Sequence, residues 1–316
     1  MDPSLSAITI VMVHVGLILT AGVLYLRRAR VDRPPVGVFN GRDVLVVAGA
    51  LVVIPPVYLA IPVPALAVFF AMLSTAMLSF SLSPVIGGRA AFWAATSLVL
   101  VDVVLAGADH AQPLFQLVNN LALGIVIVGV CNIWAQSGIR ASHVALLACG
   151  LAVYDVIATL ALPLMEEFVA RIQSLPLAPM VAWGDRATGA AIGLGDLLLV
   201  VVWTLVAERA FSRRAGLMAA GLGMSCVGAL FMAFWLDLSN RPLPAMVLLG
   251  PVIAIHYVVL ARSTERQRTT GEYLAAYSSS ASLGSIFQKT NTPSASVVSD
   301  TPIRYRESSS AGKRRS

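Results

Sequence analysis

The length of its apolar runs constrains this chain most. A stretch of roughly 18 or more apolar residues reads as a transmembrane helix, because the hydrocarbon core of a bilayer needs about 20 residues at 1.5 Å each to be crossed. Nine such runs are present, at 7–26, 44–61, 64–82, 90–107, 115–135, 142–164, 187–208, 215–236 and 243–261. Pro55, Pro56, Pro62 and Pro64 crowd the junction of the second and third. That suits a kinked helix followed by a tight hairpin, and an eight-span count follows if the pair is misread. Composition agrees: 58% of residues are hydrophobic and 12% charged, with a mean hydropathy of +0.82. A soluble domain carries about twice that charged fraction. The expectation is an all-α polytopic membrane protein with the bilayer as its solvent.

Charge gives the organisation. Arg27, Arg28, Arg30, Arg33 and Arg42 follow the first run. Arg89, Arg140, Arg209, Arg213, Arg214 and, after the last run, Arg262, Arg266 and Arg268 fall on the same side; Arg171, Arg186 and Arg241 fall on the other. The positive-inside rule then places the N-terminus outside and the C-terminus in the cytoplasm, consistent with an odd number of spans and a plasma-membrane location. From Arg262 onward there are nine Lys/Arg against four Asp/Glu, so most of the net charge of +6 lies in one tail and is no nucleic-acid signal. The Ser-rich segment from residue 269 to 316 reads as a disordered cytoplasmic extension, with attraction to anionic headgroups a minor role. The membrane part divides into 1–135, with the first five spans, and 136–268, with the last four. LPLAPMVAW, in the loop between Glu166 and Arg186, reads as interfacial. Cys131, Cys149 and Cys226 are odd in number and lack a CxxC spacing, which implies neither a disulfide framework nor a zinc site. The first run is too long for a signal-peptide core and lacks a basic leader, so it reads as a signal anchor.

Ionisable residues inside apolar runs are functional candidates by default. They are His14, Asp102, Asp155, Asp196, Asp237 and His256. Asp102 and Asp237 lie near outer span ends, where a carboxylate reaches headgroup water; the two histidines can hydrogen-bond a neighbouring helix. Asp155 and Asp196 are near mid-span. Eleven residues separate Asp155 from Glu166, and ten separate Arg186 from Asp196. At about 1.5 Å per residue both carboxylates lie roughly 15 Å below the outer surface, on consecutive antiparallel helices. Two carboxyl groups held together in a low dielectric cannot both ionise easily, which supplies one general base and one general acid.

The flanks sharpen this pair. Tyr154 precedes Asp155. Gly193, Leu194 and Gly195 precede Asp196, and the glycines clear side chains from around the second carboxylate. Pro242 and Pro244 open the last run ahead of Ala245 and Met246, and free backbone groups of the kind tolerated only where they line a cavity or are buried in protein. GLAVYDVIATL, GAAIGLGDLLL and RPLPAMVLLGP resemble, in order, spacing and placement, the presenilin and signal peptide peptidase family of intramembrane aspartyl proteases, the GxGD type. NNLALGI, from Asn119 to Ile125, resembles that family's fifth span. The resemblance covers about Asn119 to Leu260. Met246 departs from it, standing where the family usually has leucine; the two are similar in volume.

The resemblance implies hydrolysis of a peptide bond within a transmembrane helix or signal peptide, with Asp155 and Asp196 as the catalytic pair. Tyr154, Gly193, Leu194, Gly195, Pro244, Ala245 and Met246 would line the bound peptide, and no metal or cofactor is required. The arginine distribution resembles the signal peptide peptidase branch, pointing to single-span substrates with a cytoplasmic N-terminus; small size and short loops resemble a prokaryotic member. A homo-oligomeric state is left open. Three other readings compete: a prepilin-type aspartyl peptidase, an ion-coupled transporter carrying protons on the two aspartates, and a non-catalytic scaffold. The transporter reading leaves the proline motif without a role, and the presence of both aspartates argues against the scaffold.

Overall fold

The computed structural model describes residues 4–31, 41–108, 112–161, 164–172, 175–184, 189–236, 244–264 and 266–276. The first five expected runs form helices α1 (Leu5–Arg28), α2 (Gly41–Ala60), α3 (Val63–Ile86), α4 (Gly88–Ala106) and α5 (Gln112–Gln136). Then come α6 (Ala141–Val156), a π-helical turn (Ile157–Ala161) and the short α7 (Leu164–Ile172). A hairpin of β1 (Met180–Trp183) and β2 (Ala190–Gly193) precedes α8 (Leu194–Ala210), α9 (Arg213–Trp235) and α10 (Ala245–Ser263). Among the described residues, seven segments are long and apolar enough to cross a membrane: α1, α3, α4, α5, α6 with part of its π-helical extension, α9 and α10. The protein is thus a helical, multi-pass membrane protein.

Local chemistry sets the helix ends. The hydroxyls of Ser4 and Ser212 accept the N–H groups of Ala7 and Ala215, satisfying first-turn donors of α1 and α9. The prolines between α2 and α3 do not break a span: Pro62 is the N-cap of α3 and Pro64 lies in its first turn, where a missing N–H costs nothing. Arg171 of α7 donates to the carbonyls of Leu59 and Ile61 at that junction.

Burial grades the helices. Thirteen of the 17 residues of α8 are buried, against four of 24 in α3 and four of 19 in α4. α8 and α5 form the centre, α8 packing on α1, α5, α6, α9 and α10, and α5 also on α3 and α4. The outer helices expose Met72, Trp93, Leu146 and Ile255, as lipid-facing surfaces do. Helix association in lipid depends on close packing rather than on the hydrophobic effect, so small residues mark the contacts. A Cβ on Gly250 of α10 would lie 2.7 Å from Ala152 Cβ and 2.8 Å from the Ala148 carbonyl of α6. One on Gly223 of α9 would lie 2.4 Å from Val200 of α8.

Two expected spans are corrected. The sixth was read as one helix over 142–164; its α-helical part ends at Val156, and α7 starts anew at Leu164. Pro163, between them in sequence, lacks the N–H that a continuing helix needs. The seventh was read as helical from 187; Ala190–Gly193 is a strand, and the helix begins at Leu194. Gly189, Gly193 and Gly195 weaken helix formation there, and β1 offers a pairing partner. The helical rise used to match the depths of the two aspartates therefore does not apply above Asp196. The hairpin register is Met180↔Gly193, Val181↔Ile192, Ala182↔Ala191 and Trp183↔Ala190. Gly184 leaves it at φ +99°, and a Cβ there would lie 2.8 Å from the Cα of Gly189, so only glycine fits.

The proposed disorder from residue 269 also needs correcting at its start. Residues 270–276 are helical, Thr270 and Tyr273 are buried, and the Tyr273 hydroxyl bonds Glu208 at 3.2 Å. A partner about 65 residues away cannot be read from local composition. Residues 277–316 lie outside the described residues.

Candidate active site

Asp155 stands one residue before the end of α6, at the point where the α-helix gives way to a π-helical turn. Such turns widen the backbone and recur at functional sites. The turn brings Thr159 round so that its hydroxyl donates to Asp155 Oδ1 at 3.2 Å. The other oxygen, Oδ2, accepts the backbone N–H of Met246 at 3.0 Å. Met246 is the second residue of α10, whose N-cap is Pro244. The first N–H groups of a helix have no partner within it, and they carry the positive end of its dipole. One of them here holds the Asp155 carboxylate. The Gly250 contact described above lies one turn further along α10 and fixes the spacing of the two helices at the site.

Asp196 lies in the first turn of α8, directly after the strand. The two carboxyl groups are within electrostatic reach of each other, and both residues are half-buried. Gly193 is the N-cap of α8, and a Cβ on it would lie 3.2 Å from Asp196 Oδ2, so glycine leaves that carboxylate its room. Gly195 is exposed and a Cβ there would meet nothing within 4 Å. No structural contact therefore demands glycine at 195.

The structure thus brings Asp155, Pro244, Ala245 and Met246 together at the α10 N-terminus, and Gly193, Leu194 and Asp196 together at the α8 N-terminus. Tyr154 is half-buried, and its hydroxyl has no hydrogen-bond partner among the described residues. Arg186, Asp237 and Arg241 lie outside the described residues, as does Pro242. Asp102 does not reach toward headgroups as expected. It is fully buried in α4 and accepts the N–H of Leu177 at 2.7 Å. Leu177 sits at φ +56°, the one described non-glycine residue in the left-handed region. A buried acceptor for its N–H offsets part of that backbone cost. His14 bonds the Ile10 carbonyl of its own helix, while His256 accepts the indole N–H of Trp203 across the α8–α10 interface at 3.2 Å.

Sequence reasoning missed several residues near the site. Thr159 was visible as the residue four after Asp155, on the same helical face. Asn119 and Asn120 of α5 bond the backbone of β1 and Gln116 that of Gly184 just after it, and their spacing put three amides on one face of a span. Glu208 was also overlooked. It is buried at the other end of α8 and paired with Arg27 at 2.7 Å. Among the described residues no cluster of His, Cys, Asp and Glu could hold a metal ion.

Compared with protein-family models and with curated proteins, the chain gives no match.

Proposed function

We propose that this protein is an intramembrane aspartyl endopeptidase of the presenilin and signal peptide peptidase kind, cutting peptide bonds within transmembrane segments or signal peptides. The observation that carries the reading is the bond from Met246 N–H to Asp155. It joins the proline motif to the first aspartate, while the second lies within reach of the same space. A proton-carrying transporter would use the carboxylates but has no need of that junction.

In this reading the chain crosses the membrane nine times. α8 has 17 residues, about 25 Å at helical rise, which is short of a bilayer core. The extended β2 ahead of it adds about 3.3 Å per residue and makes up the length. The C-terminal ends of α1, α5 and α8 are joined by Arg27–Glu208 and by Gln136 to the Ala29 carbonyl, so these helices run parallel. That is what odd-numbered spans require. With the arginine distribution, the hairpin end faces outward and the C-terminus faces the cytoplasm of a plasma membrane.

Asp155, with two donors on its oxygens, takes the part of the carboxylate. Asp196, which has no donor among the described residues, takes that of the carboxylic acid. Asp155 removes a proton from water, and the oxygen attacks the carbonyl carbon. Asp196 gives its proton to the carbonyl oxygen, forming a tetrahedral diol. Collapse returns a proton from the diol to Asp196 and passes the proton on Asp155 to the leaving nitrogen. The two titrate as a unit. A helical substrate must unwind first, and its extended chain can add to the hairpin beside Gly193. The partners are single-span substrates with a cytoplasmic N-terminus.

The test is reconstitution with single-span substrates. Wild type should cut, and Asp155→Ala and Asp196→Ala should each lose about a thousandfold or more in kcat/KM. Cleavage by either variant at the wild-type rate would defeat the assignment. Ion movement in liposomes with no cleavage would establish the transporter instead.

A further inference from the structure

A two-stranded hairpin has two free edges, and each can accept a further strand. In this protein one of them is already occupied by side chains. Gln116 Nε2–H donates to the Gly184 carbonyl at 2.6 Å, and the Gly184 N–H donates to Gln116 Oε1 at 3.0 Å. Asn120 repeats the pattern on Ala182, donating to its carbonyl at 2.9 Å and accepting its N–H at 3.0 Å. Asn119 donates to the carbonyls of Met180 and Ala178 at 3.1 and 3.3 Å. A primary amide presents the same donor and acceptor pair as a peptide group. Four residues of helix rise about 6 Å, and two residues of strand about 6.6 Å, so amides at 116 and 120 match the backbone groups of 184 and 182.

The pairing decides what remains open. Ala182 turns its N–H and C=O toward Asn120, away from β2. In an antiparallel pair the residue opposite then turns its own groups away as well. Ala182 faces Ala191, and Met180 faces Gly193. The open edge therefore offers the N–H and C=O of Ala191 and the N–H of Gly193, both exposed residues, five and three positions before Asp196.

Resting on the protease reading above, we propose that Gln116, Asn119 and Asn120 are positioning residues: a neighbouring strand made of side chains, which closes the β1 edge so that an unwound substrate joins the hairpin only along Ala191 and Gly193, in one register relative to Asp196. The three amides carry no net charge. They fix the hairpin without placing a cation or anion beside the carboxyl pair. Asp102, holding Leu177 N–H just before β1, anchors the same segment from α4.

The experiment compares wild type with Gln116→Leu/Asn120→Leu, using a single-span substrate, and reads KM, kcat and the bonds cut by mass spectrometry. Hydrogen exchange of residues 180–193 is followed in parallel. The double variant should raise KM about tenfold with kcat changed much less, spread cutting to neighbouring bonds, and speed exchange in the hairpin. Should the double variant fail to fold, Gln116→Leu alone, which frees only the Gly184 end, should give about a threefold rise in KM and the same spread. A folded variant that cuts the same bonds at unchanged KM overturns the inference and leaves the protease reading standing. A wild type that cuts nothing overturns both, and the two failures are told apart by the wild-type measurement alone.

Discussion

The two ends of α8 are held by opposite chemistries. Around its N-terminus, the hairpin is fastened by neutral amides on backbone groups, and two carboxyls among the described residues bond backbone N–H groups there: Asp155 on Met246 and Asp102 on Leu177. Around its C-terminus the fastening is by charge. Glu208 pairs with Arg27 at 2.7 Å and also accepts from Tyr273. Arg209 is buried and donates to the carbonyls of Ala135 and Ile139 and to Thr270. Arg268 donates to the Glu208 carbonyl at 2.7 Å. A helix N-terminus repels cations and a C-terminus welcomes them, which accounts for the arginines. It does not account for the amides. A pair of carboxyl groups that must share one proton is sensitive to any nearby fixed charge. Neutral fasteners hold the frame there and leave that balance to the carboxyls.

The comparison can be broken in four places. The largest effect is expected at the charged end. Glu208→Ala removes a buried carboxylate that Arg27 and Tyr273 both bond and should cost about 3 kcal/mol of stability, read as detergent-dependent unfolding, with kcat/KM per folded molecule unchanged. A catalytic loss in folded protein would show that the ends are coupled. Next is Gly250→Val, which forces α10 off α6 and should cost about 2 kcal/mol by overpacking while also lowering cleavage, since Met246 moves with it. Smaller is Gly193→Ala. Its Cβ would push the Asp196 carboxylate by a few tenths of an ångström, giving about a tenfold fall in kcat with no change in thermal stability. An unchanged kcat would mean the carboxylate has room to spare.

The smallest effect concerns the segment docked at the charged end. Thr269 and Glu272 form a reciprocal cap: the Thr269 N–H donates to Glu272 Oε2 at 2.8 Å, and the Glu272 N–H donates to Thr269 Oγ1 at 3.3 Å. The backbone N–H of Thr269, with help from its hydroxyl and from Arg266 and Arg268, holds the Glu272 carboxyl below its ordinary 4.5. A depressed carboxyl favours the folded form above its ordinary value and loses that contribution as pH falls through the lowered one. Proteolysis of residues 266–276 should therefore quicken below pH 4.5, and Glu272→Gln should remove that acid step. A step of the same size in the variant would assign it to another group.

Much of the helical frame was legible because apolar runs report helices strongly and their ends carry ordinary capping residues. The two aspartates stood out because charge is rare in such runs; the bond from Asp155 to the last helix did not, since a proline motif marks an irregular helix start but not the partner that its free N–H meets. What escaped was everything that depends on pairing at a distance. The strand at 190–193 is too short to show a period of its own, and it exists because β1, held on its far edge by three amides of α5, pairs with it. Asp102 looked like a lipid-boundary carboxylate from its place in the run, but its partner is a backbone N–H 75 residues away. Thr270 and Tyr273 sit in a stretch whose composition reads as tail, and their bonds to Arg209 and Glu208, distant in sequence, give them a place. Thr159 and the i, i+4 amides could have been found by asking which polar side chains share a helical face.

The contact between Asp155 and Met246 has a consequence for how this position can drift over generations. The group that reaches the carboxylate is main chain, so holding Asp155 asks nothing of the side chain at 246 beyond fitting the volume around it. Every residue but proline supplies the same N–H. Exchange among Met, Leu and their like should pass without trace in activity, whereas Met246→Pro would delete the donor and leave the carboxylate with Thr159 alone.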